Sequence, residues 1–155
     1  MISLILAGKV GSSIASELGS MRATEQIDAL EIMGVNSASF LILPKIISSI
    51  LSFPFLVIIS MSIGIVGAWI GGLATDVTTA DFMSGLKYDF KPFYISYAII
   101  KTLFFAFIVS SVSSYFGYHA KGGAISVGRS STKAVVYSSI IILMFNYILT
   151  DLILA

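Results

Sequence analysis

The sequence contains no cysteine, one histidine (His119), three prolines and little charge, and each shortage removes a class of protein. Without cysteine there are no disulfides, no thiol nucleophile and no thiolate metal site. One histidine excludes a multi-histidine metal centre. Charged residues make up 11% of the 155-residue chain while 57% are hydrophobic, with a mean hydropathy of +0.99. Soluble domains carry about 25% charge and about 45–50% apolar residues. A chain this poor in charge cannot cover a water-facing surface, and a formal charge of +1 provides no field to hold nucleic acid. The composition is that of an integral membrane protein.

Such a chain is counted in crossings. A membrane helix takes about 20 apolar residues to span roughly 30 Å of hydrocarbon. Residues 46–75 are 30 consecutive uncharged residues, about 45 Å of helix, and predict a crossing over 46–73. Two further crossings are expected over 94–116, with Lys101 inside, and over 134–153. Pro44 suits a helix start, and Pro54 should kink the first of these crossings. Residues 1–16 are apolar but interrupted by Lys9, and no basic segment precedes them as in a signal peptide. They read as the end of a crossing whose beginning is absent, as in the C-terminal part of a longer protein. The expected fold class is therefore all-α integral membrane, a single transmembrane domain over residues 1–155 with three complete crossings and a partial one.

Loop charges set the orientation. Residues 119–133 hold Lys121, Arg129 and Lys133 without an acid, which marks a cytoplasmic loop. Residues 76–91 mix Asp76, Asp81 and Asp89 with Lys87 and Lys91 and suit the other side. Residues 17–45 then lie inside, and the C-terminus outside.

The polar stretch 17–34 holds four of the eight acids. Thr24 is a good N-cap, Glu25 and Asp28 favour the positive end of a helix, and Gly34 can end it in the left-handed conformation. Ile27, Leu30 and Met33 recur at helical spacing opposite Glu25, Asp28 and Glu31. This predicts a short cytoplasmic amphipathic helix over 17–35. Interfacial helices that rest on lipid carry Lys and Arg on their polar face. This one is net acidic, which favours docking into a basic protein groove.

Three segments carry a family resemblance: Gly8-Lys-Val-Gly-Ser-Ser-Ile-Ala-Ser-Glu-Leu-Gly-Ser-Met21, Arg22-Ala-Thr-Glu-Gln-Ile-Asp-Ala-Leu30 and Glu31-Ile-Met-Gly-Val-Asn36. With Leu43-Pro-Lys45, Phe116-Gly-Tyr118, Ser126-Val-Gly-Arg-Ser-Ser-Thr-Lys-Ala-Val-Val136 and Asn146-Tyr-Ile-Leu-Thr150, they closely resemble permease subunits of the MlaE/YrbE family. Family members are longer at the N-terminus and often have an acid where this chain has Asn146. The resemblance implies a homodimeric phospholipid permease of the bacterial inner membrane. Its partners are a second copy of itself, a separate ABC ATPase that binds ATP, and a periplasmic MCE-domain protein. It also implies that the 17–35 helix is a coupling helix seated in the ATPase, with Glu17, Met21, Arg22, Glu25, Gln26 and Asp28 at the contact. The permease itself is not an enzyme and needs no cofactor.

Lys101 inside a crossing marks a polar cavity or a lipid-headgroup site, a packing contact, or a side chain that snorkels to the interface. Asn146 lies at similar depth and could hydrogen-bond to it. Gly64, Gly67 and Gly71 share one helical face, with Gly67-x-x-x-Gly71 suited to close helix packing within the subunit or between two copies. Trp69, Tyr94, Tyr97 and Tyr115 suit interface anchors. Gly8-Lys9 is no P-loop: Ser3 stands where the first glycine is needed and Val10 where Ser or Thr is needed. Two rival classes are a secondary transporter or channel without an ATPase, for which mid-membrane acids are lacking, and a non-transporting accessory or fragment subunit.

Overall fold

The computed structural model describes residues 1–75, 78–88 and 92–154, with side chains described as far as residue 152. Asp76, Asp89 and Lys91, used above to orient the chain, lie outside the described residues. The elements are α1 (Ile2–Leu6), a π-helical turn (Ala7–Gly11), α2 (Ser12–Ala23), α3 (Gln26–Ile32), α4 (Ser37–Leu73), α5 (Thr79–Tyr88), α6 (Pro92–Tyr118) and α7 (Ala124–Leu154). No strand occurs among the described residues. Among the described residues, three helices are long and apolar enough to cross a membrane: Ser37–Leu73, Pro92–Tyr118 and Ala124–Leu152.

The helix starts differ from those expected. α4 begins at Ser37, because Asn36 is its N-cap and accepts the Ser39 N–H at 3.2 Å. Pro44 therefore lies inside α4 and does not open it, and α4 also continues through Pro54. Each proline removes one backbone donor, a loss that membrane helices tolerate. α7 begins at Ala124, ten residues before the expected crossing, so Arg129 and Lys133 ride on its first turns. α5 is a further short helix, set against the C-terminal part of α4 around Ile65, Val66 and Trp69.

α1, the π-helical turn and α2 form one helical run over residues 2–23, and α2 is wedged against both α6 and α7. The contact surfaces are rich in small residues, with Ile14 and Leu18 of α2 buried beside them. Ala7, Gly11, Ala15 and Gly19 recur every fourth residue on this run and are buried; Ala106, Ser110, Ser113, Ser114 and Gly117 are buried on α6. A Cβ placed on Gly117 would stand 2.7 Å from the Ala15 carbonyl oxygen and 2.9 Å from its Cα. One on Gly11 would stand 2.8 Å from Ser113 Oγ. Lipid gives no hydrophobic drive between helices, so close backbone approach through small residues is what holds such a bundle. Phe53, Phe105, Val109 and Ile142 fill the core beside this seam.

The face expected to pack closely does not do so within this chain. Gly64, Gly67 and Gly71 are exposed, and a Cβ on any of them meets nothing within 4 Å. Among the described residues the close approaches lie instead at Gly11, Gly19 and Gly117. Gly117→Ala should destabilise the detergent-solubilised protein by about 1–3 kcal/mol, because Ala15 backbone cannot move aside cheaply. Gly67→Ala should be neutral or stabilise by up to about 1 kcal/mol through helix propensity. Thermal unfolding followed by circular dichroism separates the two.

Candidate functional site

Where α2 leaves the bundle, the chain turns sharply. Thr24 does not cap the following helix: its hydroxyl donates backward to the carbonyl of Ser20 at 2.9 Å, and so closes α2. Glu25 then takes φ 59° and ψ 14°, the left-handed region, and α3 starts at Gln26. The single helix expected over 17–35 is thus two helices meeting at Glu25. A non-glycine residue there costs about 1–2 kcal/mol. Neighbouring contacts hold the bend: Ile27 is fully buried, and Arg22 pairs with Asp28 across the turn at 2.6 Å. α3 ends as its sequence predicts, with Gly34 at φ 77°. The Val35 N–H reaches the Leu30 carbonyl and the Gly34 N–H reaches that of Glu31, the paired bonds of a glycine-terminated helix.

Polar contacts fasten this corner to the crossings. Lys45 Nζ donates to Glu17 at 2.6 Å, joining α4 to α2. Glu31 Oε1 accepts from Ser37 Oγ at 2.9 Å and from the Tyr118 hydroxyl at 3.0 Å, joining α3 to the start of α4 and the end of α6. The Ser37 hydrogen bond, then that of Tyr118, holds the Glu31 carboxyl below its ordinary value of 4.5. The Arg22 guanidinium lies 5.9 Å from the Tyr118 ring centroid.

The six residues expected at a docking surface therefore divide. Glu17, Arg22 and Asp28 are engaged in ion pairs within the chain, Met21 is half-buried, and Glu25 and Gln26 are exposed at the bend. Beyond them Ile32 and Met33 are 87% and 68% exposed, so the apolar face expected through Met33 is covered only near Ile27. The sequence does not mark Lys45 and Tyr118 as partners that set this corner, because they lie 28 and 87 residues from the acids they meet; Ser37, only six residues from Glu31, was within local reach and was missed.

A second polar cluster lies within the crossings. Lys101 Nζ donates to the Tyr97 hydroxyl at 2.7 Å and to Thr150 Oγ1 at 2.8 Å, and Tyr97 donates to Thr150 at 3.0 Å. The cross-helix partner of Lys101 is thus Thr150, one turn beyond Asn146. Asn146 enters only through its backbone carbonyl, which accepts the Thr150 hydroxyl, and the residue itself is exposed. Tyr97, expected to anchor at the interface, is turned toward the lysine. No acid pairs with Lys101 among the described residues.

Three spanning helices, with a further helical run set among them by small residues, define a multi-pass α-helical membrane protein. Over residues 1–152 the chain matches the family described as Permease MlaE, and it belongs to that family. It is 41% identical over 150 residues to a probable ABC transporter permease protein of Rickettsia bellii, covering 96% of this chain and 58% of the relative. It is 35% identical over 159 residues to the probable ABC transporter permease protein ycf63 of Pyropia yezoensis, covering 100% and 57%. It is 34% identical over 150 residues to the chloroplastic protein TRIGALACTOSYLDIACYLGLYCEROL 1 of Arabidopsis thaliana, covering 96% and 43%. The chain thus spans little more than half the length of the first two.

Two outcomes follow from the bend. Glu25→Gly should stabilise the protein by about 1 kcal/mol by removing the left-handed penalty, read as a raised unfolding temperature. A carboxylate with a depressed pKa contributes stability that is present above its unfolded value and lost as pH falls through the folded one. Carboxyl NMR should therefore find Glu31 titrating below 4.5, and Ser37→Ala and Tyr118→Phe should each move it upward.

Proposed function

We propose that this chain is the membrane part of an ATP-driven phospholipid permease in a bacterial inner membrane. It works as a homodimer, with a separate ATPase on the cytoplasmic side and an MCE-domain protein on the periplasmic side. The observation that carries the reading is the fixed bend at Glu25, between a helix wedged inside the bundle and a short exposed helix. The names of the relatives, ABC transporter permease proteins, support the same reading.

The mechanical role follows from the contacts. A push on α3 reaches α2 through the Arg22–Asp28 pair and buried Ile27, and reaches α4 and α6 through Glu31, Ser37 and Tyr118. A rigid element joined to several crossings converts a subunit movement into a movement of helices. Glu25, Gln26 and Met21, with Ile32 and Met33 beyond them, form the ATPase contact, while Glu17, Arg22 and Asp28 brace it. ATP is bound and hydrolysed by the partner. Lys101 and Asn146 border the lipid path, where the ammonium held by Tyr97 and Thr150 attracts a lipid phosphate.

The test is to tag the protein in its native cells, extract it in mild detergent and identify copurifying proteins and lipids by mass spectrometry. An ATPase, an MCE-domain protein and phospholipid are expected, and Glu25→Lys should lose the ATPase while keeping the lipid. Wild-type protein isolated without any ATPase would overturn the reading. Lys101→Met should lower lipid transport about tenfold, the scale of one charge-assisted hydrogen bond, with assembly intact. Unchanged transport would remove Lys101 from the path.

A further inference from the structure

Where α6 gives way to α7, a cavity of about 480 Å³ is lined by His119, Lys121, Ser126, Arg129, Ser130 and Lys133, with no acid among its lining residues. Small-molecule sites commonly measure about 300–1,000 Å³. Lys121, Arg129 and Lys133 have no ion-pair partner: the ion pairs among the described residues are Arg22–Asp28 and Glu17–Lys45. The cavity is held in shape by its own loop. Gly122 turns the chain at φ 106°, and Ser126 Oγ donates to the Lys121 carbonyl at 2.5 Å. His119 Nδ1 donates to the Tyr115 carbonyl at 2.9 Å, which fixes the ring and leaves Nε2 unbonded. Three cations around one concave space repel one another unless an anion sits between them.

The face of α7 that forms this wall does not stop at the cavity. Ser126, Arg129, Ser130 and Lys133 follow the i, i+3, i+4, i+7 spacing of one helical stripe, and the same stripe continues as Val136, Tyr137 and Ile140. These three apolar side chains are 49%, 51% and 49% exposed. The stripe is thus cationic and hydroxylated at the membrane edge and apolar toward the membrane interior. That order matches a phospholipid read from headgroup to tail, and basic pockets beside membrane helices suit anionic headgroups.

We propose that this cavity binds the phosphate-bearing headgroup of an anionic phospholipid in the leaflet on the side of the basic loop, with its acyl chains along Val136, Tyr137 and Ile140. The site is separate from Lys101 and from the bend at Glu25. The test places the full chain in nanodiscs of equal parts phosphatidylcholine and phosphatidylglycerol, followed by mild detergent extraction and mass spectrometry of retained lipid. Wild-type protein should retain phosphatidylglycerol about tenfold over phosphatidylcholine, the effect of one or two charges at a membrane surface. Arg129→Gln with Lys133→Gln should bring the two lipids to parity. Arg129→Lys with Lys133→Arg, and Lys87→Gln on the opposite side, should keep the preference. Should the double glutamine variant fail to insert, Lys121→Gln must still reduce the preference. Parity in the wild type, or a preference that these variants leave unchanged, would overturn the proposal. So would inorganic phosphate binding to wild-type protein in phosphatidylcholine discs as tightly as the lipid, since the site would then serve a free anion. No ATPase takes part in this assay, so its failure is distinguishable from failure of the transporter reading.

Discussion

The contact on which the rest depends is the approach of two backbones, at Ala15 on α2 and Gly117 on α6, so close that no side chain fits between them. In water, apolar burial would bring such helices together. In lipid, association rests on close fit. Small residues supply that fit along the run over residues 2–23 and along α6, with Ala134 and Ser138 buried on α7 beside them. Because the run is held along its length, the direction in which it leaves the bundle is set, and with it the position of the bend and of α3.

Outside the membrane, position is set by polar contacts that are individually modest. The Glu17–Lys45 and Arg22–Asp28 pairs are partly exposed, and exposed pairs contribute about 0–1 kcal/mol each. Their value is geometric. Together with the Glu31, Ser37 and Tyr118 contacts they tie α3 to α2, α4 and α6, so the exposed end of α3 cannot shift without moving helices that cross the membrane. The left-handed Glu25 is a local cost held in place by this bracing.

The spans themselves are legible in the sequence because long apolar runs, 30 uncharged residues over 46–75 and 17 each over 102–118 and 134–150, have few alternatives to a membrane helix. Helix ends are less so. The turns of α4 before Pro44 and of α7 before Ala134 continue their spans into the polar region, and hydropathy does not mark that continuation. Asn36 could have been recognised as the cap, since it precedes the run and follows Gly34. The glycines at 64, 67 and 71 are conspicuous because their surroundings are purely apolar, yet they pack nothing within this chain. The seam that does pack mixes glycine, alanine and serine and is interrupted by Lys9, which hides a four-residue period. Lys101 announces itself as a charge in a crossing. Its partner is not announced, since Thr150 and Asn146 differ by one turn and only the relative register of α6 and α7 chooses between them.

The seating of the run over residues 2–23 in the bundle against α6 can be measured directly because the chain has no cysteine. A Cβ on Gly11 lies 4.0 Å from that of Ser113, inside the range of about 3.5–4.5 Å that a disulfide spans. Gly11→Cys with Ser113→Cys, expressed in membranes and treated with a mild oxidant, should form an intramolecular disulfide nearly completely and lose reactivity toward maleimide. Two thiols that stay reduced and are labelled independently would show that the run is not seated against α6.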